Sequence, residues 1–251
     1  MSAVTTERAT AVTTVVLGPK TRLGAALLAG AGSDRATYAV ARDDRDRVEL
    51  ATSDATVISA HTSGPLLGDT PPSALRIHVC ALGPVHPETA RPEDDASFVA
   101  RDLDLVARLL DEAEGREAHV VLVSSILALA PAADRAYYAG WKNVAEEELA
   151  TLVAAHPGGR LSVFYPGRLM AAQDRSKPWH RMHTTFERLA TLMNNASEGP
   201  GRSRTVGLDA RLWLMARSAS LMATTLSGSR STRRRHGVDG ATDPNERDGI
   251  R

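Results

Sequence analysis

Residues 12–24 read VTTVVLGPKTRLG, and this stretch decides the fold class of the chain. Val12 to Leu17 is a short run of β-branched and apolar residues, which is typical of a buried strand. Gly18 ends the run, and residues 23–31 continue in good helix formers. The stretch therefore predicts a strand, a tight turn and a helix, which together open a β-α-β unit.

Strand and helix patterns alternate along most of the remaining chain. Candidate strands cover residues 12–17, 37–41, 55–60, 75–82, 119–123 and 161–165. Candidate helices cover residues 23–31, 93–114, 137–155, 179–193 and 209–226. Such alternation predicts crossover connections and strands that are covered on both faces. We therefore expect an α/β fold, a doubly wound parallel sheet of about seven strands with helices on both faces.

These patterns are confined to the middle of the chain. Residues 1–11 lack periodicity and are expected to form a flexible arm, and residues 12–227 a single domain. Residues 228–251 are rich in Arg, Ser, Gly and Asp with almost no apolar residues to bury, so we expect a disordered Arg-rich tail.

Composition excludes several classes of protein. The chain has 251 residues, with 30 basic and 30 acidic ones, and this balance disfavours a dedicated nucleic-acid binder. The single cysteine, Cys80, excludes an internal disulfide framework and a Cys-rich zinc site. We find no apolar run near the roughly 18–20 residues of a membrane span and no signal-peptide core. We therefore expect a cytoplasmic protein that acts without membrane or nucleic acid.

The first turn and the end of the second candidate strand can face a nucleotide. A Gly-rich turn lets backbone N–H groups approach a pyrophosphate at the start of a helix, but here only Gly18 and Gly24 hold glycine positions. Arg42 follows the second strand, where an arginine suits a ribose 2′-phosphate, and Lys20 and Arg22 lie close in sequence to the turn. An ordinary tight turn and a charged surface loop are the alternatives.

Ser125, Tyr138 and Lys142 form a candidate catalytic set. Ser125 follows a buried strand, and Tyr138 and Lys142 are four residues apart, which places them on the same face of a helix. A nearby ammonium favours the phenolate, so Tyr138 could exchange a proton with a carbonyl or alcohol oxygen that Ser125 also binds. The alternative is a solvated lysine beside a packed tyrosine. The scarcity of lysine elsewhere in the chain favours the catalytic interpretation.

Ser125, the stretch Tyr138-Ala139-Gly140-Trp141-Lys142 and the later Tyr165-Pro166-Gly167 resemble the short-chain dehydrogenase/reductase superfamily. The resemblance covers about residues 12–226. It implies a Rossmann-like fold and hydride transfer with NAD(H) or NADP(H), catalysed by the serine, tyrosine and lysine. The cofactor-binding positions that we carry over or infer are Gly18, Lys20, Thr21, Arg22, Leu23, Gly24, Arg42, Ala81, Leu82, Gly83, Pro166 and Gly167.

The chain departs from this family in several motifs. Thr21 or Arg22 occupies the middle glycine position, and Cys80-Ala81-Leu82-Gly83 replaces the family's Asn-Asn-Ala-Gly. Asp102 or Asp104 replaces the asparagine of the family's proton relay, and a bulky Trp141 precedes the lysine. We therefore expect an atypical member with a degraded glycine motif.

The segment after Gly167 is the expected substrate side. Its clustered cations could bind an anionic group of a small-molecule substrate. The alternative is a basic segment that is only solvated. His180 and His183 lack an acidic or cysteine partner at ligand spacing, so we expect no metal. The resemblance implies a homodimer that buries the helix around residues 98–110 and the catalytic helix. Apolar stripes on residues 98–110 and the bulky Trp141 agree with it, and packing of both stripes within one subunit is the alternative.

The sequence thus favours an NADP-dependent oxidoreductase acting on a carbonyl or alcohol of a small metabolite. Two alternatives stay open, an NAD-dependent sugar-nucleotide epimerase or dehydratase and a degenerate fold that senses the cofactor without turnover. Arg42 disfavours the epimerase, and the intact catalytic set disfavours the sensor.

Overall fold

A computed structural model describes residues 12–31, 36–51, 53–68, 72–82, 95–196 and 199–220. The expected arm at residues 1–11, the expected tail at 228–251 and the candidate cofactor residue Gly83 lie outside the described residues.

Seven parallel strands of the described chain form one sheet in the order β3-β2-β1-β4-β5-β6-β9. They are β1 Val12–Leu17, β2 Ala36–Ala41, β3 Thr56–Ser59, β4 Ala74–Val79, β5 Ala118–Val123, β6 Gly159–Pro166 and β9 Ser203–Val206. A separate two-stranded ladder pairs β7 Leu169–Met170 with β8 Thr184–Thr185. The strand order reverses between β1 and β4, and ligands of such sheets bind at that point.

The helices cover both faces of the sheet. They are α1 Arg22–Ala29, α2 Asp44–Leu50, α3 Asp95–Glu112, α4 Ile126–Leu129, α5 Ala136–Ala155, α6 Phe186–Ala196 and a further helix, α7, at residues 208–220. Val15 packs into the cluster that contains α3 and α5, and the next residue, Val16, packs with α1 and α6. Successive strand residues point to opposite faces, so the doubly wound α/β prediction is confirmed.

Three parts of the fold differ from the sequence prediction. The predicted helix at 179–193 is wrong at its start, because a 3₁₀ turn at Pro178–Met182 and β8 precede α6. The β-branched Thr184 and Thr185 join β7, and Thr185 Oγ1 accepts a hydrogen bond from Arg188 N at 3.2 Å. Strand β9 was missed because it is a polar edge strand, and α2 because it is a short charged helix capped by Asp43.

Helix α3 buries both of its apolar stripes inside the chain. Leu105 and Leu109 from one stripe, and Val99, Val106 and Leu110 from the other, are all 5% exposed or less. The side chain of Phe98 lies outside the described part of the structure. The apolar pattern of α3 is therefore satisfied by the sheet and by α5, and it gives no separate argument for a partner subunit.

Among the residues that the structure describes, no helix combines the length and the apolar character that crossing a bilayer requires. Among the same residues, no group of three or more His, Cys, Asp or Glu side chains is placed to hold a metal ion.

The sheet interior contains a histidine that makes stability depend on pH. His78 on β4 is 1% exposed. Burial is the main cause that lowers the pKa of His78 from 6.5 to about 3, and electrostatic interactions with Arg76 and His119 lower it further. The unfolded chain therefore binds more protons than the folded chain between these two values, and stability is complete above pH 6.5 and is lost as the pH falls.

We predict that His78→Gln makes the free energy of unfolding less dependent on pH below 6.5. The slope should fall by up to one proton, about 1.4 kcal/mol per pH unit. Urea unfolding at a series of pH values measures it. His61→Gln, which changes an exposed histidine, is the matched control and should keep the wild-type slope. Equal slopes for wild type and His78→Gln would contradict the assignment.

Candidate functional site

The candidate residues gather at the carboxyl edge of the parallel sheet. Gly18 follows β1, Arg42 follows β2, Ala81 and Leu82 follow β4, and Ser125 follows β5. Pro166 ends β6, and Gly167 comes next. Because all seven strands of the sheet run in parallel, these positions share one edge, where ligands bind in open α/β sheets.

The turn after β1 is closed by Thr21. Its Oγ1 donates to Gly18 O at 2.8 Å and accepts from Gly24 N at 2.9 Å, so the threonine caps α1. Gly18 has a φ of +78°, which favours glycine. A Cβ at Gly24 would lie 2.3 Å from Gly18 O, so the helix packs directly on the turn. Gly18 is thus required by its positive φ and Gly24 by its close approach to the backbone of the turn. Thr21 stabilises the turn through its two hydrogen bonds.

Two candidate phosphate ligands in this turn already pair with carboxylates. Lys20 Nζ lies 2.8 Å from both Asp46 and Glu49 of α2. These hydrogen bonds raise the pKa of the Lys20 ammonium. Arg22 is largely exposed, with Nη1 3.7 Å from an oxygen of Asp174. Leu23 is buried, so only its backbone can face a ligand.

Arg42 faces a depression between β1, β2 and α3. Leu17, Gly18, Val40, Arg42, Ala60, Arg101, Asp102 and Leu105 line it. Arg42 Nη2 donates to Asp102 Oδ2 at 2.9 Å. Burial raises the pKa of the Asp102 carboxyl, and the charges of Arg42 and Arg101 oppose that rise. Asp102 therefore belongs to the Arg42 cluster, while Asp104, the other residue considered for the proton relay, is exposed.

Tyr138 and Lys142 lie on the buried face of α5. Tyr138 is 6% exposed and Lys142 is 5% exposed, and Lys142 Nζ lies 5.6 Å from the centre of the tyrosine ring. Lys142 Nζ also donates a 2.6 Å hydrogen bond to Leu82 O at the end of β4. A buried ammonium needs such a partner. The structure thus brings Tyr138, Lys142 and the backbone of Leu82 together.

Ser125 lies where β5 passes into α4. Its Oγ accepts a hydrogen bond from Leu127 N at 3.2 Å and caps this short helix. The preceding residue, Ser124, donates from its Oγ to Glu146 of α5, and Tyr165 OH donates to the other carboxylate oxygen of Glu146 at 2.7 Å. Burial and this hydrogen bond raise the pKa of Tyr165. Glu146 therefore holds α5 against the ends of β5 and β6, beside Ser125.

Gly167 lies against the carboxylate of Asp209 on α7. Asp209 Oδ2 accepts from Arg168 N at 2.8 Å and lies 2.9 Å from His183 Nδ1. A Cβ at Gly167 would approach that oxygen to 2.3 Å, and a Cβ at Gly207 would lie 2.5 Å from Asp209 Oδ1. Both glycines therefore make room for the carboxylate. It joins the start of residues 168–183, the segment expected to face the substrate (the substrate segment), to its end.

The substrate segment and the loop after α4 are also held from α7. Trp213 Nε1 donates to Ala130 O at 2.8 Å, and Arg217 Nη2 donates to Pro131 O at 2.6 Å. In the substrate segment, Arg175 donates to the carbonyl of His183, and Lys177 Nζ lies 5.2 Å from the centre of the Trp179 ring. The exposed cations there, available to an anionic group, are Arg168, Lys177 and Arg181.

Sequence reasoning missed Glu146 and Asp209 as site residues. Glu146 could have been found, because it continues the four-residue spacing of Tyr138 and Lys142 along one face of α5. Asp209 gives only a weak signal, an acidic residue at a helix start after Gly207.

Comparison with solved structures shows the same fold as several dehydrogenases and reductases. A short-chain dehydrogenase from Burkholderia cenocepacia J2315 in complex with NADP is 16% identical, with a TM-score of 0.55 over 92% of this chain and 98% of that one. A gluconate 5-dehydrogenase from the same organism, in complex with NADP and tartrate, is 13% identical, with a TM-score of 0.54 over 80% and 95%.

A 3-ketoacyl-(acyl-carrier-protein) reductase from Brucella melitensis, complexed with NADH, is 18% identical, with a TM-score of 0.53 over 79% of this chain and 97% of that one. No family model and no curated protein matches the sequence. The fold of the short-chain dehydrogenases/reductases is therefore established at the level of structure, as the sequence resemblance predicted.

The described residues fit a nicotinamide dinucleotide. The turn at Gly18 precedes the N-terminus of α1, where backbone N–H groups can bind a phosphate. The depression beside it carries arginines suited to phosphate. Tyr138 and Lys142 lie farther along the same edge.

Proposed function

We propose that this protein is an NADP-dependent oxidoreductase of the short-chain dehydrogenase/reductase type, acting on a carbonyl or alcohol of a small metabolite. The observation that carries the proposal is the buried Tyr138 and Lys142 pair on α5, beside the end of β4 and the Ser125 corner, in a fold shared with such enzymes. We also propose a cytoplasmic location, where a free thiol such as that of the buried Cys80 stays reduced.

The dinucleotide, when bound, supplies or accepts the hydride. In the proposal, the backbone of residues 21–23 faces the pyrophosphate, and Arg42 faces the 2′-phosphate. The nicotinamide half of the cofactor faces Ala81, Leu82, Pro166 and Gly167. Gly83 belongs to this proposed set from the sequence alone. The support is the common edge on which the described members lie.

The catalytic residues divide the proton chemistry among them. Tyr138 donates a proton to the substrate oxygen during reduction and removes it during oxidation. Ser125 donates a hydrogen bond to the same oxygen. Lys142 holds positive charge beside the phenol, and its contact with Leu82 O fixes the position of the ammonium. The exposed cations of the substrate segment suit an anionic substrate.

One observation favours a second candidate, a fold that binds the cofactor without turnover. The cations expected to face phosphate are paired with carboxylates of this chain, and Lys142 donates to a backbone carbonyl. Turnover with any carbonyl substrate separates the two candidates, because a sensor would bind the dinucleotide and leave it unchanged. If NAD copurifies with the protein, an epimerase or dehydratase is favoured instead.

We predict that Tyr138→Phe lowers turnover by roughly 10²–10⁴ while cofactor affinity changes little, because the phenol is the proton donor. The loss of NADPH absorbance with a panel of small ketones and aldehydes measures turnover. Tyr137→Phe is the matched control. Tyr137 is adjacent to Tyr138 in the chain, is 38% exposed and accepts a hydrogen bond from Trp141 Nε1. Near-normal activity in Tyr138→Phe, or equal losses in both variants, would contradict the role.

We predict that wild type binds NADPH more tightly than NADH and that Arg42→Ala lowers the ratio of the two affinities. A charge-assisted contact with the 2′-phosphate is lost, and NADH has no such phosphate. Fluorescence titration with both nucleotides measures the ratio. Arg45→Ala, which removes an exposed cation that pairs with Glu49, is the control and should keep the wild-type ratio. An unchanged ratio in Arg42→Ala contradicts the assignment.

We also propose a homodimer that uses the exposed face of α5, with α3 beside it. Tyr137 and Val144 are 38% and 45% exposed, and Trp141 lies between them at helical spacing. The two aromatic rings pack edge to face with centroids 6.4 Å apart. Tyr137 and Val144 lie on the side of the helix away from Lys142 and are exposed with respect to the described residues, whereas Trp141 is half-buried against the core.

We predict a mass about twice 26.8 kDa by light scattering at micromolar concentration. Val144→Asp should give the monomer mass, because a buried unpaired charge is costly at an interface. The control is Val48→Asp, at an exposed valine of α2. A wild-type monomer would contradict the dimer. A dimer lost in Leu212→Asp but kept in Val144→Asp would move the interface to α7.

A further inference from the structure

The carboxylate that holds Arg42 is the most deeply buried of those paired with the candidate phosphate ligands. The side chain of Asp102 is 8% exposed, whereas Asp46, which binds Lys20, is 13% exposed and Asp174, near Arg22, is 52% exposed. Asp102 comes from α3, sixty residues beyond Arg42 in the chain. Both side chains line the depression beside Gly18, so the pair lies at the adenosine end of the proposed site.

We propose that Asp102 is a specificity-determining residue that weakens the preference of this chain for a 2′-phosphorylated dinucleotide by occupying the guanidinium of Arg42. The inference rests on the proposed function, since it assumes that Arg42 faces the ribose 2′ position. In dinucleotide-binding folds, the residue that distinguishes the two cofactors usually follows the second strand. Asp102 lies instead on α3.

A 2′-phosphate that reaches Arg42 must either share it with Asp102 or displace it. Sharing brings two anions to one cation, and their repulsion opposes binding. Displacement leaves a buried carboxylate without its ion-pair partner, which is also costly. Burial raises the pKa of the Asp102 carboxyl and the charges of Arg42 and Arg101 oppose that rise, so the carboxylate loses stabilisation when Arg42 turns to another anion. The neutral ribose 2′-hydroxyl of NADH causes neither cost. Asp102 therefore lowers the affinity for NADPH and leaves the affinity for NADH unchanged.

The side chains around the pair permit a clean test. Arg42 is 37% exposed, so part of its guanidinium is accessible from the depression while Nη2 binds Asp102. Asp104 lies two residues farther along α3 and is exposed. Replacing either aspartate with asparagine removes the same charge from the same helix, but only the replacement at Asp102 releases Arg42.

The experiment is a fluorescence titration of wild type, Asp102→Asn and Asp104→Asn with NADPH and with NADH. Calorimetry with adenosine 2′,5′-bisphosphate provides a second readout that does not require turnover. We expect Asp102→Asn to bind NADPH and the bisphosphate on the order of tenfold more tightly, with NADH affinity unchanged. Asp104→Asn should match wild type. Adding Arg42→Ala to Asp102→Asn should remove the gain.

Each other outcome overturns the inference. An unchanged ratio of NADPH to NADH affinity in Asp102→Asn means that Asp102 does not compete for Arg42. A lowered ratio means that Asp102 orients Arg42 for the phosphate. If Asp104→Asn produces the same gain, the effect is general electrostatics. If wild type binds neither nucleotide, the proposed function fails as well, which the wild-type titration alone reveals. Thermal melting checks folding, and Asp102→Ser, with the same expectation, replaces an unstable Asp102→Asn.

Discussion

The ammonium of Lys142 lies buried under α5 and donates its 2.6 Å hydrogen bond to Leu82 O at the end of β4. A buried charge without such a partner is strongly unfavourable, so the contact fixes how α5 is rotated about its axis. Tyr138 and Glu146 lie one turn to either side on the same face, and the contact therefore also sets their positions. Through Ser124 and Tyr165, Glu146 extends the attachment of the helix to the ends of β5 and β6.

The opposite side of the carboxyl edge is held by α7. Asp209 binds the start of the substrate segment at Arg168 N and its end at His183, and Trp213 fixes the loop that follows α4. Apolar packing accounts for the two faces of the sheet, and at this edge Ala130, Met170 and Ala171 are buried as well. Polar contacts from two helices thus position the segments that surround the site, and Gly167 and Gly207 provide the space that Asp209 requires.

The parts of the fold that the sequence predicted are those with a local signal. The β-branched run of β1 was predicted at its observed bounds, and the buried β5 within one residue of its start, because continuous apolar strands differ sharply from their neighbours. Strand β9 was not predicted, since its exposed polar residues acquire strand structure from pairing with β6. The Arg42–Asp102 pair joins elements sixty residues apart, and no local pattern encodes such a contact.

The first turn is closed by a side chain as well as by the backbone. Thr21 supplies both a donor and an acceptor to the backbone and so closes the turn that Gly18 begins. The first intrahelical bond of α1 runs from Ala25 N to Thr21 O. The amides of Arg22 and Leu23 therefore precede the helical hydrogen-bond ladder, while that of Gly24 is bound by the cap. In the proposed site, a pyrophosphate at this turn would meet these two amides and the exposed cation of Arg22, whose ion pair with Asp174 is long and exposed and therefore weak.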